Sequence, residues 1–211
     1  SNARVSIDGR IVNNYARMSF DFGPPLLEWI ERFHPRTYRS VLDADRESVR
    51  ENEGHGNAIA HAYIHAILPL CNDRDRRTLI RWGLRDFENR FDRSAESLWL
   101  PETACDEATL DAMIDEGLRF VLLSPQQAWR WRSFGSAEWS EGEVDPTRPY
   151  RFFHRDGSGR FLALFFYDGS LAHSIAFGGG LTSSRSFLEG REGFIHLATD
   201  GETYGHHFPR G

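Results

Sequence analysis

Apolar positions along this chain fall into two periods. Behind Pro24-Pro25, Leu26, Leu27, Ile30 and Phe33 recur every three or four residues, which predicts a helix that starts where proline is tolerated and stops at His34-Pro35. A second helix is expected from Arg36 to about Asn52, charge-laden beyond Leu42 and therefore mostly solvated. The cleanest helical period begins at Asn72. Asp73 and Asp75 stand at its start, Leu79, Ile80, Leu84, Phe87 and Phe91 form one face, and Arg76, Arg77, Arg81 and Arg85 form the other, which reads as a solvated face. A further helix runs from Asp106, with Leu110, Met113 and Ile114 on one side and Gly117 closing it.

Between these helices lie short apolar runs that read as buried strands: Leu98-Trp99-Leu100, Phe120 to Leu123, Phe161 to Phe166 and Phe194 to Thr199. Ile11, Val12, Tyr15, Met18, Phe20 and Phe22 suggest a strand, or a strand, turn and strand, entering the core, with Asn13, Asn14 and Arg17 at its rim. The succession strand, helix, strand across Leu98 to Leu123 is a βαβ unit, which in one sheet implies parallel strands and a right-handed crossover. Residues 124–160 break this rhythm. Trp129, Trp131, Trp139 and Tyr150 are scattered there among charges and prolines, either pinning a loop to the core or offering flat faces to sugars. Residues 178–180 and 182–193 also read as loop.

Three of the strands deliver an acid at their carboxyl end, where α/β proteins gather reactive groups because the strand fixes the backbone and the loop exposes the side chain. Glu102 follows Leu100-Pro101, with Trp99 three residues earlier offering an apolar face suited to a sugar ring. Asp168 follows the run ending at Phe166, and Asp200 and Glu202 follow Thr199 among glycines. Two carboxylates on one rim are what glycoside hydrolysis requires, one as nucleophile or base and one as proton donor. Glu102 and Asp200 are the expected pair, with Asp168 the competitor for the donor role. Glu202 and His206 either orient Asp200 and tune it or cap its loop.

Composition narrows the partners. Thirty-one acidic against twenty-five basic side chains give a formal charge of −6, which argues against nucleic acid and suits a neutral polymer. Two cysteines in 211 residues imply no disulfide framework and a reducing compartment. Ser1-Asn2-Ala3 reads as a scar of tag removal, and neither a secretory leader nor a run of the roughly 20 apolar residues needed to span a bilayer is present, so a cytoplasmic protein without a membrane partner is expected.

Trp99-Leu100-Pro101-Glu102 together with Asp200-Gly201-Glu202-Thr203-Tyr204-Gly205 resembles the two catalytic motifs of glycoside hydrolase family 57. Asn13 to Arg17, Phe22 to Pro24, Gly54 to Ala58 and His65 to Leu70 also resemble segments of that family, particularly a branch fused to a further domain of unknown function. The resemblance implies an α/β fold, a parallel seven-stranded β/α barrel, and a retaining mechanism on α-glucans with Glu102 as nucleophile and Asp200 as general acid/base. It also implies an oligo- or polysaccharide substrate with His65 in the wall of the sugar site; Trp99, Asn57, Glu202, His206 and Asp168 are the other expected contacts, and no cofactor or metal is expected because the two carboxylates supply both nucleophile and proton traffic. Family members begin with a His-Gln-Pro strand that does not precede Asn13 and continue in helices past the Asp-Gly-Glu motif. Residues 4–211 are therefore expected to be a single catalytic domain taken from a longer protein, its barrel incomplete.

A rival reading rests on three histidines, His55, His61 and His65. The last two, four apart, would share one face of a helix and could hold a metal. Ser19-Phe20-Asp21-Phe22-Gly23 with His61-Ala62-Tyr63-Ile64-His65 resembles, imperfectly, the motifs of NodB-type polysaccharide deacetylases, with Phe22 where the metal-binding aspartate belongs. A third expectation is a glucan-binding module without catalysis.

Overall fold

The structure, a computed structural model, describes residues 4–142, 144–177, 195–204, 206 and 207. The chain divides into two compact units, residues 1–121 with 153–162, and residues 122–152 with 163–211. In chain order the strands and helices are β1 (Arg4–Ile7), β2 (Arg10–Asn13), β3 (Phe20–Asp21), α1 (Pro24–Phe33), α2 (Pro35–Glu51), β4 (Ala58–His61), α3 (Asp73–Phe91), β5 (Leu98–Trp99), α4 (Glu107–Asp115), β6 (Phe120–Leu123), β7 (Arg130–Trp131), β8 (Ser140–Glu141), β9 (Tyr150–Phe153), β10 (Phe161–Phe166) and α5 (Gly169–Phe177).

The first unit is built on a parallel sheet in the order β3, β4, β5, with Phe20 beside Ala58, Ala60 beside Leu98 and His61 beside Trp99. A parallel bridge from Ser97 to Phe120 brings the start of β6 alongside, as expected of the βαβ unit. All carboxyl ends therefore lie on one rim. Leu98 and Leu100 are fully buried, with Ile80 and Phe87 of α3 and Met113 of α4 among the core. β1 and β2 form a hairpin whose turn, Asp8-Gly9, has φ of 50° and 78°, the doubly left-handed two-residue connection that twists with its strands.

Several expectations need correction. Of the predicted apolar face of α1 only Leu27 is buried; Leu26 and Phe33 are 45% and 55% exposed, and Phe33 packs against Trp29. α2 is less solvated than its charge suggests, because Val41, Ala44, Asp45 and Ser48 form a buried stripe. The arginine face of α3 is not simply wet. Arg76 is buried, donating to the Leu68 and Cys71 carbonyls, while Arg77 and Arg81 pair with Asp115 and Glu116 at the end of α4 at 2.9 and 2.7 Å. Asn13 and Arg17 serve structure. Asn13 donates to the Ser40 carbonyl at 2.9 Å and Arg17 pairs with Glu51.

In the second unit, residues expected to be loop contain β7 and β8, an antiparallel pair with Arg130 beside Glu141, and the start of β9. Trp131 and Tyr150 are anchors, their rings 5.9 Å apart with Phe166 on the far side of Tyr150, whereas Trp129 and Trp139 are exposed with Arg130 over both. A sheet in the order β6, β10, β9 runs through this part of the chain. The strand expected at Phe194 to Thr199 is not formed: residues 195–199 carry no strand pairing, Ile195 is 38% exposed, and Phe194 lies outside the described residues, as do 178–180 and 182–193. The His196 carbonyl accepts from the Asp168 N–H at 2.9 Å, and one such bond does not make a ladder. The fold is mixed α/β, and the described strands form open sheets and close no barrel. Among the described residues no helix is long and apolar enough to cross a membrane.

Candidate active site

The site starts from a close approach of backbone to backbone. Gly83 lies in the middle of α3, and a Cβ there would sit 2.1 Å from the His61 carbonyl oxygen and 3.1 Å from the Tyr63 nitrogen. Only glycine lets the end of β4 touch the helix. Tyr63 then donates its backbone N–H to the Leu79 carbonyl at 3.0 Å, which clamps the segment leaving the strand. His61 and His65 are thus not four apart on a helix: His61 ends a strand and His65 follows in irregular chain. Their rings nevertheless stack, with centroids 5.6 Å apart and planes 27° from parallel.

Glu102 arrives from the neighbouring strand. After Leu100 the chain makes a tight turn, Pro101–Thr103, in which Glu102 (φ 57°) and Thr103 (φ 53°) are both left-handed. That conformation is uncommon for glutamate and an outlier for a β-branched residue, and costs about 1–3 kcal/mol per residue. The turn is held by Thr103 N–H to the Leu100 carbonyl at 2.8 Å and by the burial of Pro101 and Thr103. It leaves the Glu102 side chain 71% exposed, with His65 Nε2 donating to its Oε1 at 3.0 Å. Beyond it, Asp106 caps α4 by accepting from the Thr109 N–H at 2.8 Å and the Thr109 hydroxyl. Burial raises the pKa of Asp106, but the Thr109 donors and Arg76 outweigh it and hold the carboxyl below its usual range. Burial, then the Asp106 charge, pushes the Cys105 thiol up to about 11. Both cysteines are thiols.

His61 is buried, at 7% exposure, and Asp21 at the end of β3 has Oδ2 3.8 Å from its Nε2. Its Nδ1 faces the Ala62 carbonyl at 2.7 Å and must therefore be the donor. Burial lowers the pKa of His61; the bond to Ala62 raises it, and the His65 charge lowers it again, with a net fall that favours the neutral ring.

The first unit thus brings Asp21, His61, His65 and Glu102 to one rim, with Trp99 in register beside His61. Asn57 is not among them. It precedes β4 at the opposite end, where its N–H donates to the Ser48 hydroxyl at 2.9 Å and its carbonyl accepts from Phe20. Sequence reasoning placed His61 and Asp21 only in a metal set. Their link to Glu102 had one signal, the two histidines flanking the end of an Ala-Ile-Ala-His strand. Among the described residues no group of three His, Cys, Asp or Glu side chains is arranged to hold a metal ion.

In the second unit Asp168 accepts from the Leu171 N–H at 2.9 Å and the Ser170 hydroxyl at 2.7 Å, so its carboxylate starts α5. Asp200 and Glu202 are exposed at the turn Gly201–Thr203; the Asp200 carbonyl accepts from Thr203 N–H at 3.1 Å, and the Glu202 carbonyl accepts from His207 N–H at 3.0 Å. The His206 ring lies 5.0 Å from that of His207.

Comparison with known proteins gives the family and the fold. The chain belongs to glycosyl hydrolase family 57, which it matches over residues 8–210. In fold it is similar to a 4-alpha-glucanotransferase from Thermococcus litoralis, with TM-score 0.60 and 22% identity over 90% of this chain and 27% of that one. It is similar also to an exo-type maltose-forming amylase from Pyrococcus sp. ST04, with TM-score 0.63 and 16% identity over 95% of this chain and 36% of that one. The chain thus spans about a quarter to a third of the length of these two enzymes. No curated protein sequence matches it.

Proposed function

We propose that the protein is a retaining glycoside hydrolase or transglycosidase of α-glucans, with Glu102 as nucleophile and Asp200 as general acid/base. The observation that carries this reading is Glu102 itself: a carboxylate at the end of a parallel strand, on a strained turn that keeps it exposed, with a histidine N–H directed at one oxygen. Strain of this kind persists where function selects it. A carboxylate so placed attacks an anomeric carbon, forming a bond to C1 as the glycosidic oxygen departs with a proton from Asp200. Asp200 then takes a proton from water, for hydrolysis, or from an acceptor sugar, for transfer, as that oxygen displaces Glu102. Trp99 is assigned to stacking on the sugar. Asp168 is the weaker candidate for the donor because its carboxylate is engaged in starting α5.

The test is covalent trapping. With an activated α-glucosyl donor whose leaving group departs without a proton, the wild type and Asp200→Asn should both acquire the mass of one glycosyl unit, and azide should restore turnover to Asp200→Asn. Glu102→Gln should acquire none. Labelling of Glu102→Gln, or azide rescue confined to Asp168→Asn, would overturn the assignment.

A further inference from the structure

The geometry around β4 singles out His61, a residue that the proposed chemistry does not use. His65 is 59% exposed and sits in irregular chain, so nothing in its own backbone fixes its ring. That ring stacks on the face of His61 and donates to the carboxylate of Glu102. His61, by contrast, is immobilised from several directions. It is buried at the end of a paired strand, its Nδ1–H is bonded to the Ala62 carbonyl, and its own carbonyl rests where α3 has no side chain at Gly83. Asp21 closes the side at Nε2.

We propose that His61 is a positioning residue for Glu102: its fixed ring is the surface on which His65 lies, and this surface determines that His65 Nε2 points at the Glu102 carboxylate. The inference rests on the reading of Glu102 as nucleophile. It explains why a polar ring is buried at the strand end, where an aliphatic side chain would fill the space at less cost in desolvation. A flat partner leaves an overlying ring one plane in which to lie; an aliphatic partner leaves it many. Burial favours the neutral form of His61, so its ring adds no charge beside the hydrogen bond from His65 to Glu102.

Two substitutions of similar bulk separate positioning from mere packing: His61→Phe keeps a ring and His61→Leu does not. The first readout is spectroscopic and needs no activity. The Cδ2 and Cε1 proton signals of His65, assigned by their loss in His65→Gln, should be displaced by ring current in the wild type and in His61→Phe, and should move to the positions of an unstacked histidine in His61→Leu. The second is the rate of glycosyl-enzyme formation, which should fall about 10- to 100-fold in His61→Leu with little change in KM, and stay within about threefold of wild type in His61→Phe. If the two variants agree with each other in the spectroscopic readout, or in the rate when the wild type does form the adduct, the proposal is overturned. Should His61→Leu not fold, His61→Gln replaces it, since it has no ring but keeps a donor for Ala62. A wild-type chain that forms no adduct sinks the nucleophile reading instead, and the His65 signals then still decide whether His61 sets its orientation.

Discussion

Glu102 and His61 illustrate two ways in which single residues are held against their own preference. The left-handed backbone at Glu102 suits asparagine better than glutamate, and the glutamate side chain is mostly exposed, with His65 as its hydrogen-bond partner. Glu102→Asn should therefore be at least as stable as the wild type, by up to about 1 kcal/mol in urea unfolding, while forming no glycosyl adduct. His61 makes a pH prediction. Its pKa is lowered in the folded state, first by burial and also by the charge of His65. The unfolded chain then binds more protons as pH falls through the ordinary histidine range, so stability rises with pH there and is lost on acidification. Between pH 7.5 and 5 the unfolding midpoint of the wild type should fall more than that of His61→Phe, in which this group no longer titrates. Of the candidate site, Glu102 and Trp99 were legible because a strand followed by Pro-Glu is a local signal. The bond from His65 to Glu102 joins residues 37 positions apart, and no local pattern announces such a distance.

At the scale of elements, α1, α3, α4, β6 and β10 were readable because each carries its own period or apolar run and a start or stop residue: Pro24 and Pro25, Asn72, Asp106, Gly117. Asn72 and Asp106 do accept the capping bonds, from Asp75 and Thr109 N–H. The reading failed where spacing was ambiguous or where the partner lay elsewhere. His61 and His65 mimic a helical interval across a strand and an irregular segment, and the arginines of α3 find their acids on α4. Gly83 shows the same limit. In a solvent-exposed helix Gly→Ala would stabilise by about 1 kcal/mol, yet here the added methyl would meet the backbone of β4 at 2.1 Å. Gly83→Ala is expected to destabilise by roughly 1–3 kcal/mol or more, measured by chemical denaturation, and to lower activity by displacing His61.

For the whole molecule, family 57 membership and the mixed α/β fold agree with the sequence, whereas the barrel rested on the resemblance and not on any run of residues. What ties the first unit together was not legible at all. Asp45 of α2 is 1% exposed and accepts two bonds from Arg93, at 2.8 and 2.9 Å, and one from the Ala58 N–H, while Arg93 also donates to the Ala58 carbonyl. One buried ion pair thus joins α2, the chain leaving α3, and β4. Arg93→Ala would strand a buried carboxylate and should cost about 3–5 kcal/mol of unfolding free energy. The Cys105 thiol, three residues past Glu102, gives a direct view of such losses. Because burial keeps it protonated well above neutral pH, and the thiolate is the reactive form, alkylating reagents should label it slowly until the turn opens. Its labelling rate is a clock for opening. If that rate rises with denaturant as steeply as unfolding itself, the Pro101–Thr103 turn moves only when the fold does; a shallow dependence would mean that the turn breathes on its own while the sheet beneath it stays shut.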